Sequence, residues 1–153
     1  MRGVRDEELS GDVGPPDVGD MGVVRDVFLR AEPLVADAEF DSVLRPREVS
    51  VVLDDGIGDA DGARIDVTWY ASGAYSFHYT DSAGVDWRFD RHPNPHSPEK
   101  HFHPPPDARP HDAEASCISV EAPRLVALAV VKLWRRAYET GSLALLNTAE
   151  NPP

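Results

Sequence analysis

The stretch RIDVTWYASGAYSFHYTDSAGVDWRFD, residues 64–90, decides the fold. Apolar and polar side chains alternate in it three times over: Ile65, Val67 and Trp69, then Tyr75, Phe77 and Tyr79, then Val85, Trp87 and Phe89. A period of two marks a strand with one face buried and the other wet. Ala71-Ser72-Gly73 and Asp81-Ser82-Ala83-Gly84 separate the runs with turn-forming residues. Residues 64–70, 74–80 and 85–90 therefore read as consecutive antiparallel strands, and residues 48–53 add a fourth upstream.

Working outward, Asp20 is placed to cap a helix carrying Val23, Val24, Val27, Phe28 and Ala31 on one side and ending at Pro33. Residues 34–47 carry no decisive pattern, and residues 117–120 suit a short extra strand. A second helix starts between Ser119 and Pro123 and runs to Thr140, with Gly141 as its stop. Leu125, Val126, Leu128, Val130, Val131, Leu133 and Trp134 make it apolar on nearly every side, so it must be covered on more than one face. It is expected to cross the meander and to keep apolar surface for a partner, including a second copy of the chain. The predicted fold class is α+β: an antiparallel β-meander of about four strands whose apolar face is covered by an N-terminal and a C-terminal helix. Ile65, Val67, Trp69, Tyr75, Phe77, Tyr79, Trp87 and Phe89 should share that face with Leu128 and Trp134. Residues 1–20 read as a disordered acidic leader, 21–141 as one domain with a His/Pro-rich loop at 91–113, and 142–153 as a flexible tail.

The chain of 153 residues has a net charge of -12, from 27 acidic against 15 basic residues, and Lys100 and Lys132 are its only lysines. Strong acidity with scarce lysine predicts a cytoplasmic protein of a salt-accumulating halophile. At molar salt the screening length falls to about 3 Å. Local arginines then still hold a phosphate by contact, so the net charge does not exclude a nucleic acid. Cys117 is the only cysteine, which excludes an internal disulfide framework and a Cys-type zinc site. The apolar run 125–131 is too short to cross a membrane, and the leader lacks the apolar core of a signal peptide.

The same period of two sorts the polar residues. Opposite the apolar face lie Arg64, Asp66 and Thr68, then Ser76, His78 and Thr80, then Asp86, Arg88 and Asp90. A short loop with Gly73 at positive φ pairs Tyr70 with Ala74, which sets Thr68 opposite Ser76 and Asp66 opposite His78. On its other side His78 must face Asp86 or Arg88. One histidine thus sits between a carboxylate and another charged group, neighbours that orient an imidazole. Charged cross-strand pairs are also ordinary on a wet sheet face.

The last strand feeds into residues 90–111, DRHPNPHSPEKHFHPPPDARPH, which hold five of the six histidines. Pro93, Pro95, Pro98, Pro104, Pro105, Pro106 and Pro110 make this segment extended and semi-rigid, with little capacity for a central strand. Three readings stand. His101 and His103, with His96 or Asp90, can bind a metal; the spacing from His101 and His103 to Asp107 echoes a cupin ligand set. The histidines can instead act as acid, base and phosphate contacts, or form a solvated loop anchored by Phe102. No complete ligand set has a known spacing, so no resident metal or other cofactor is expected.

Tyr75-Ser76-Phe77-His78-Tyr79, Trp87-Arg88-Phe89-Asp90, Pro95-His96 and His101-Phe102-His103 together resemble the TumE-type toxins of toxin–antitoxin modules, over residues 64–140. The resemblance implies a small toxin acting on RNA and neutralised by a helix-turn-helix antitoxin. RNA cleavage needs a base for the 2′-OH, an acid for the leaving oxygen and positive charge at the phosphate. His78, His96, His101 and His103 are the candidates for the first two, with Arg88 and Asp90 in the same catalytic set. Asp66, Arg91 and Asn94 are the candidates for substrate contact. The alternative is a non-catalytic interaction or metal-binding protein that uses the His/Pro-rich segment.

Overall fold

The structure, a computed structural model, describes residues 13–92 and 99–148. Helix α1 spans Val18–Ala31. Asp17 caps it: its carboxylate accepts from the Asp20 N–H at 2.9 Å, and its own N–H donates to the Trp69 carbonyl at 2.8 Å. The helix thus begins before the expected Asp20 cap, and Asp20 sits in the first turn, where a carboxylate faces the positive end of the helix dipole. The chain ahead of it is already part of the fold, with Val13 buried and Pro16 bridged to Tyr70. The rest of the expected leader, residues 1–12, lies outside the described residues. Met21, Val24 and Phe28 form the buried face of α1. That face is rotated from the expected stripe, because Val23 and Ala31 are exposed.

Among the described residues, seven antiparallel strands follow in one sheet, each paired with the next in chain order. They are β1 (Val35–Phe40), β2 (Val49–Leu53), β3 (Ala63–Trp69), β4 (Tyr75–Asp81), β5 (Asp86–Arg91), β6 (Lys100–His103) and β7 (Glu114–Ala115). The expectation of about four strands is too few, because β1, β6 and β7 carry no clear alternation. Strand β1 is an edge with a bulge between Val35 and Asp37, so its side chains do not alternate cleanly. Strand β6 lies inside the segment expected to be a loop. Its four residues include no proline, so every N–H remains available to a ladder, and Phe102 is buried opposite Phe89. Strand β7 is too short to leave a pattern.

The β3–β4 register matches expectation, with Thr68 opposite Ser76 and Asp66 opposite His78. The Gly73 N–H donates to the Tyr70 carbonyl and the Tyr70 N–H to the Ala74 carbonyl, with Gly73 at φ +94°. That backbone conformation favours glycine, and an added Cβ would lie 2.9 Å from Arg91 Nη1. Successive hairpins stack aromatic pairs on the apolar face: Trp69 on Tyr75 at 4.8 Å, Tyr79 on Trp87 at 4.8 Å, and Phe89 against Phe102 at 4.6 Å between ring centroids. Each such pair contributes about 0.5–1.5 kcal/mol beyond its buried area.

Helix α2 (Pro123–Thr140) has proline in its first turn and ends at Gly141 in the left-handed conformation. It closes the apolar layer beside α1 and buries Val126, Val130, Leu133 and Trp134 in the core formed by the sheet's aromatic face. Leu128, expected among them, is only half-buried and turns toward α1. Glu32, buried at the end of α1, is ion-paired with Arg135 and ties the helices together. The expected tail is in contact with the domain up to Thr148: Leu146 is buried, and the Asn147 side chain accepts from the Cys117 N–H at 2.7 Å. Residues 149–153 lie outside the described residues. No helix among the described residues is long and apolar enough to cross a membrane.

Candidate functional site

With both helices on the aromatic face, the alternate side chains of the sheet form a polar surface. Ser50, Asp66, His78, Arg88 and His103 lie in one lateral row across β2–β6. The next row holds Thr68, Ser76, Asp90 and His101. Neighbouring strands are about 4.8 Å apart, so side chains on adjacent strands of a row touch or share a ligand.

Asp90 is the buried centre of this surface, 4% exposed. Its Oδ2 accepts from Arg88 Nε at 2.8 Å and lies 3.0 Å from His103 Nε2. Burial pushes this carboxyl up, but His103, Arg88 and the Ser76 hydroxyl outweigh that and hold it below the usual carboxylate range. His103 is also buried, and its Nδ1 lies 3.3 Å from the Arg109 carbonyl oxygen. Both of its ring nitrogens are engaged by the protein, which suits a positioning residue better than a proton carrier. Arg88 uses only Nε in its ion pair, and its side chain is partly exposed, so its terminal amino groups keep donors for an anion.

His78 is more accessible. Its Nε2 lies 3.0 Å from Asp86 Oδ1, while its register partner is Arg88. The expectation of a carboxylate and a second charge around His78 matches this arrangement, but the bonded carboxylate is Asp86. Asp66, although opposite His78, accepts from the Ser50 hydroxyl at 2.9 Å and from Arg64 Nε at 3.1 Å. Asp86, expected only as one of two possible neighbours of His78 and left out of the candidate site residues, is the carboxylate that bonds it. Its signal lies in the sequence all the same, since Asp86 shares the face and lies diagonal to His78, within side-chain reach.

His101 follows on β6, its ring centroid 6.2 Å from that of His103. Burial and then the charge of His103 push its imidazole below the ordinary histidine value, so the neutral ring is favoured near neutral pH. The segment after β6 returns to this face. The Asp86 N–H donates to the Pro106 carbonyl at 2.6 Å, and Asp107 bridges to Asp86. The prolines therefore bring the histidine segment back beside the His78–Asp86 pair, a long-range contact that local sequence does not encode.

Arg91 does not join the set. It is one residue beyond Asp90, so it turns to the opposite side of the sheet, where it meets Glu99 and the Gly73 carbonyl. Asn94 and His96 lie outside the described residues. Among the described residues no three His, Cys, Asp or Glu side chains are grouped to hold a metal ion.

A family model described as Toxin TumE matches residues 25–138, from within α1 across the whole sheet and through most of α2. No curated protein and no solved structure matches the chain.

Proposed function

The chain belongs to the TumE toxin family, and from that premise we propose that it is the toxin of a toxin–antitoxin module and acts on RNA in the cytoplasm through its polar sheet face. The observation that carries this reading is the row joining His78, Arg88 and His103, with the buried Asp90 anchoring the last two. His101, kept neutral, takes the proton from a 2′-OH. The 2′-oxygen then attacks phosphorus, and the bond from phosphorus to the 5′-oxygen breaks. His78, held and charge-balanced by Asp86, donates a proton to that leaving oxygen. Arg88 faces the phosphate, while Asp90, itself held by His103, fixes its guanidinium. The products are a cyclic 2′,3′-phosphate and a 5′-hydroxyl, and the step needs no metal. General acid–base catalysis of this type supplies about 10²–10⁴-fold per group.

A second reading is favoured by one observation. Asp66 and Asp90 already pair with arginines of the same face, and Asp86 with His78, as on an inert surface or a non-catalytic interaction surface. Induced expression without an antitoxin separates the two readings. Wild type should arrest growth with RNA cut at defined contexts, whereas His78→Ala, His101→Ala and Arg88→Ala should each relieve the arrest and remain folded. Arrest that persists unchanged in all three variants, or arrest with intact RNA, rejects the ribonuclease reading.

A further inference from the structure

The helical layer, on the other side of the sheet from this face, carries a feature that the function above does not use. Between α1 and α2 lies a groove of about 390 Å³ floored by Val23, Val27 and Leu128 and rimmed by Arg30, Arg124 and Asp26. Val23 is 39% exposed, on a flank of α1 distinct from the buried Met21, Val24 and Phe28. The groove therefore holds apolar side chains that the core does not enclose.

Its rim is electropositive in a chain where acids outnumber bases 27 to 15. Asp26 is drawn to Arg25 Nη2 at 3.5 Å. Among the described residues the guanidinium groups of Arg30 and Arg124 make no ion pair or hydrogen bond, so two cations flank apolar surface without a carboxylate of their own.

We propose that this groove receives an amphipathic α-helix of another protein, with its apolar stripe on Val23, Val27 and Leu128 and acidic residues on its flanks facing Arg30 and Arg124. Residues 23–31 of α1 span about 12 Å, room for two turns of such a helix and its i, i+3, i+4 and i+7 anchors. A second copy of this chain fits worse, because an isologous contact would bring the same rim of both copies together, with Arg30 and Arg124 of each outnumbering Asp26. A helix seated here leaves the polar sheet face uncovered, and the proposal does not depend on what that face does.

The test uses the full chain and two labelled synthetic helices of about 18 residues, with leucine at the anchor positions and either Glu or Lys on the flanks. Fluorescence anisotropy should show binding of the Glu-flanked peptide, against the net charge of the protein. Arg30→Glu with Arg124→Glu should weaken it about tenfold or more. Both arginines are exposed, so the fold should survive, and an unchanged circular dichroism spectrum checks that. Val23→Asn should weaken both peptides. Equal or tighter binding of the Lys-flanked peptide, or unchanged affinity in the double variant, overturns the proposal. A wild-type dimer in sedimentation that the double variant or Val23→Asn dissociates assigns the groove to a second copy and overturns it as well.

Discussion

Replacing Asp90 with asparagine tests whether one buried carboxylate holds the polar face together. The carboxylate is 4% exposed and meets two donors, Arg88 Nε at 2.8 Å and His103 Nε2 at 3.0 Å. Asparagine keeps the shape and one acceptor but loses the charge. A hydrogen bond to a charged group is worth about 1.5–3 kcal/mol, against about 0.5–1.5 for a neutral one. Losing that difference at two contacts gives a cost of about 2–3 kcal/mol, with little discount for solvent because Asp90 is buried. For a domain of this size each kcal/mol lowers Tm by about 2–4 °C, so Asp90→Asn should melt roughly 5–10 °C below wild type. The buried Trp69, Trp87 and Trp134 supply the fluorescence signal for urea titrations. The pH dependence is a second, independent readout. The folded pKa of Asp90 is depressed below the ordinary aspartate value of 3.8, so its stabilisation is complete above that value and is lost as pH falls through the lower, folded one. The gap between wild type and Asp90→Asn should therefore close only in strong acid, as the carboxylate is protonated. A cost under about 0.5 kcal/mol, or a gap that persists unchanged once the carboxylate is protonated, would refute the role given to Asp90.

Three further outcomes are expected. His101 has a depressed folded pKa, so the unfolded chain binds its proton first and stability should fall as pH drops below 6.5; His101→Gln should flatten that slope in urea midpoints from pH 7 to 5, and an unchanged slope would count against a partly buried neutral ring. Gly73→Ala places a Cβ at φ +94° and 2.9 Å from Arg91 Nη1, and should cost about 1–2 kcal/mol in chemical denaturation, with a neutral result contradicting the turn. Phe102→Ala should cost about 3–5 kcal/mol if β6 belongs to the core, whereas a solvated loop would lose almost nothing.

The alternation in residues 64–90 makes β3, β4 and β5 legible from the amino acids alone, because period two is a property of each strand by itself. Gly73 then fixes the register, since a short loop with one positive-φ residue leaves few ways to pair Thr68 with Ser76, and Asp66 with His78 follows. The polar face is readable for the same reason. Strands β1 and β6 are not, because a bulged edge and a four-residue strand beside prolines have too little local pattern to outvote their polar residues.

The amino-acid sequence by itself determined which side chains share a face, and so which histidine, arginine and aspartates can meet on β3–β5. Only the tertiary structure decided that Lys100–His103 adds to β5, that His103 is buried against Asp90, and that His78 is held by Asp86 while Asp66 bonds Ser50 and Arg64. Facing follows from the backbone geometry of one strand. Partnering depends on which neighbour supplies the next ladder of N–H and C=O groups and on which carboxylate already has a closer donor, and these are settled between segments far apart in the chain.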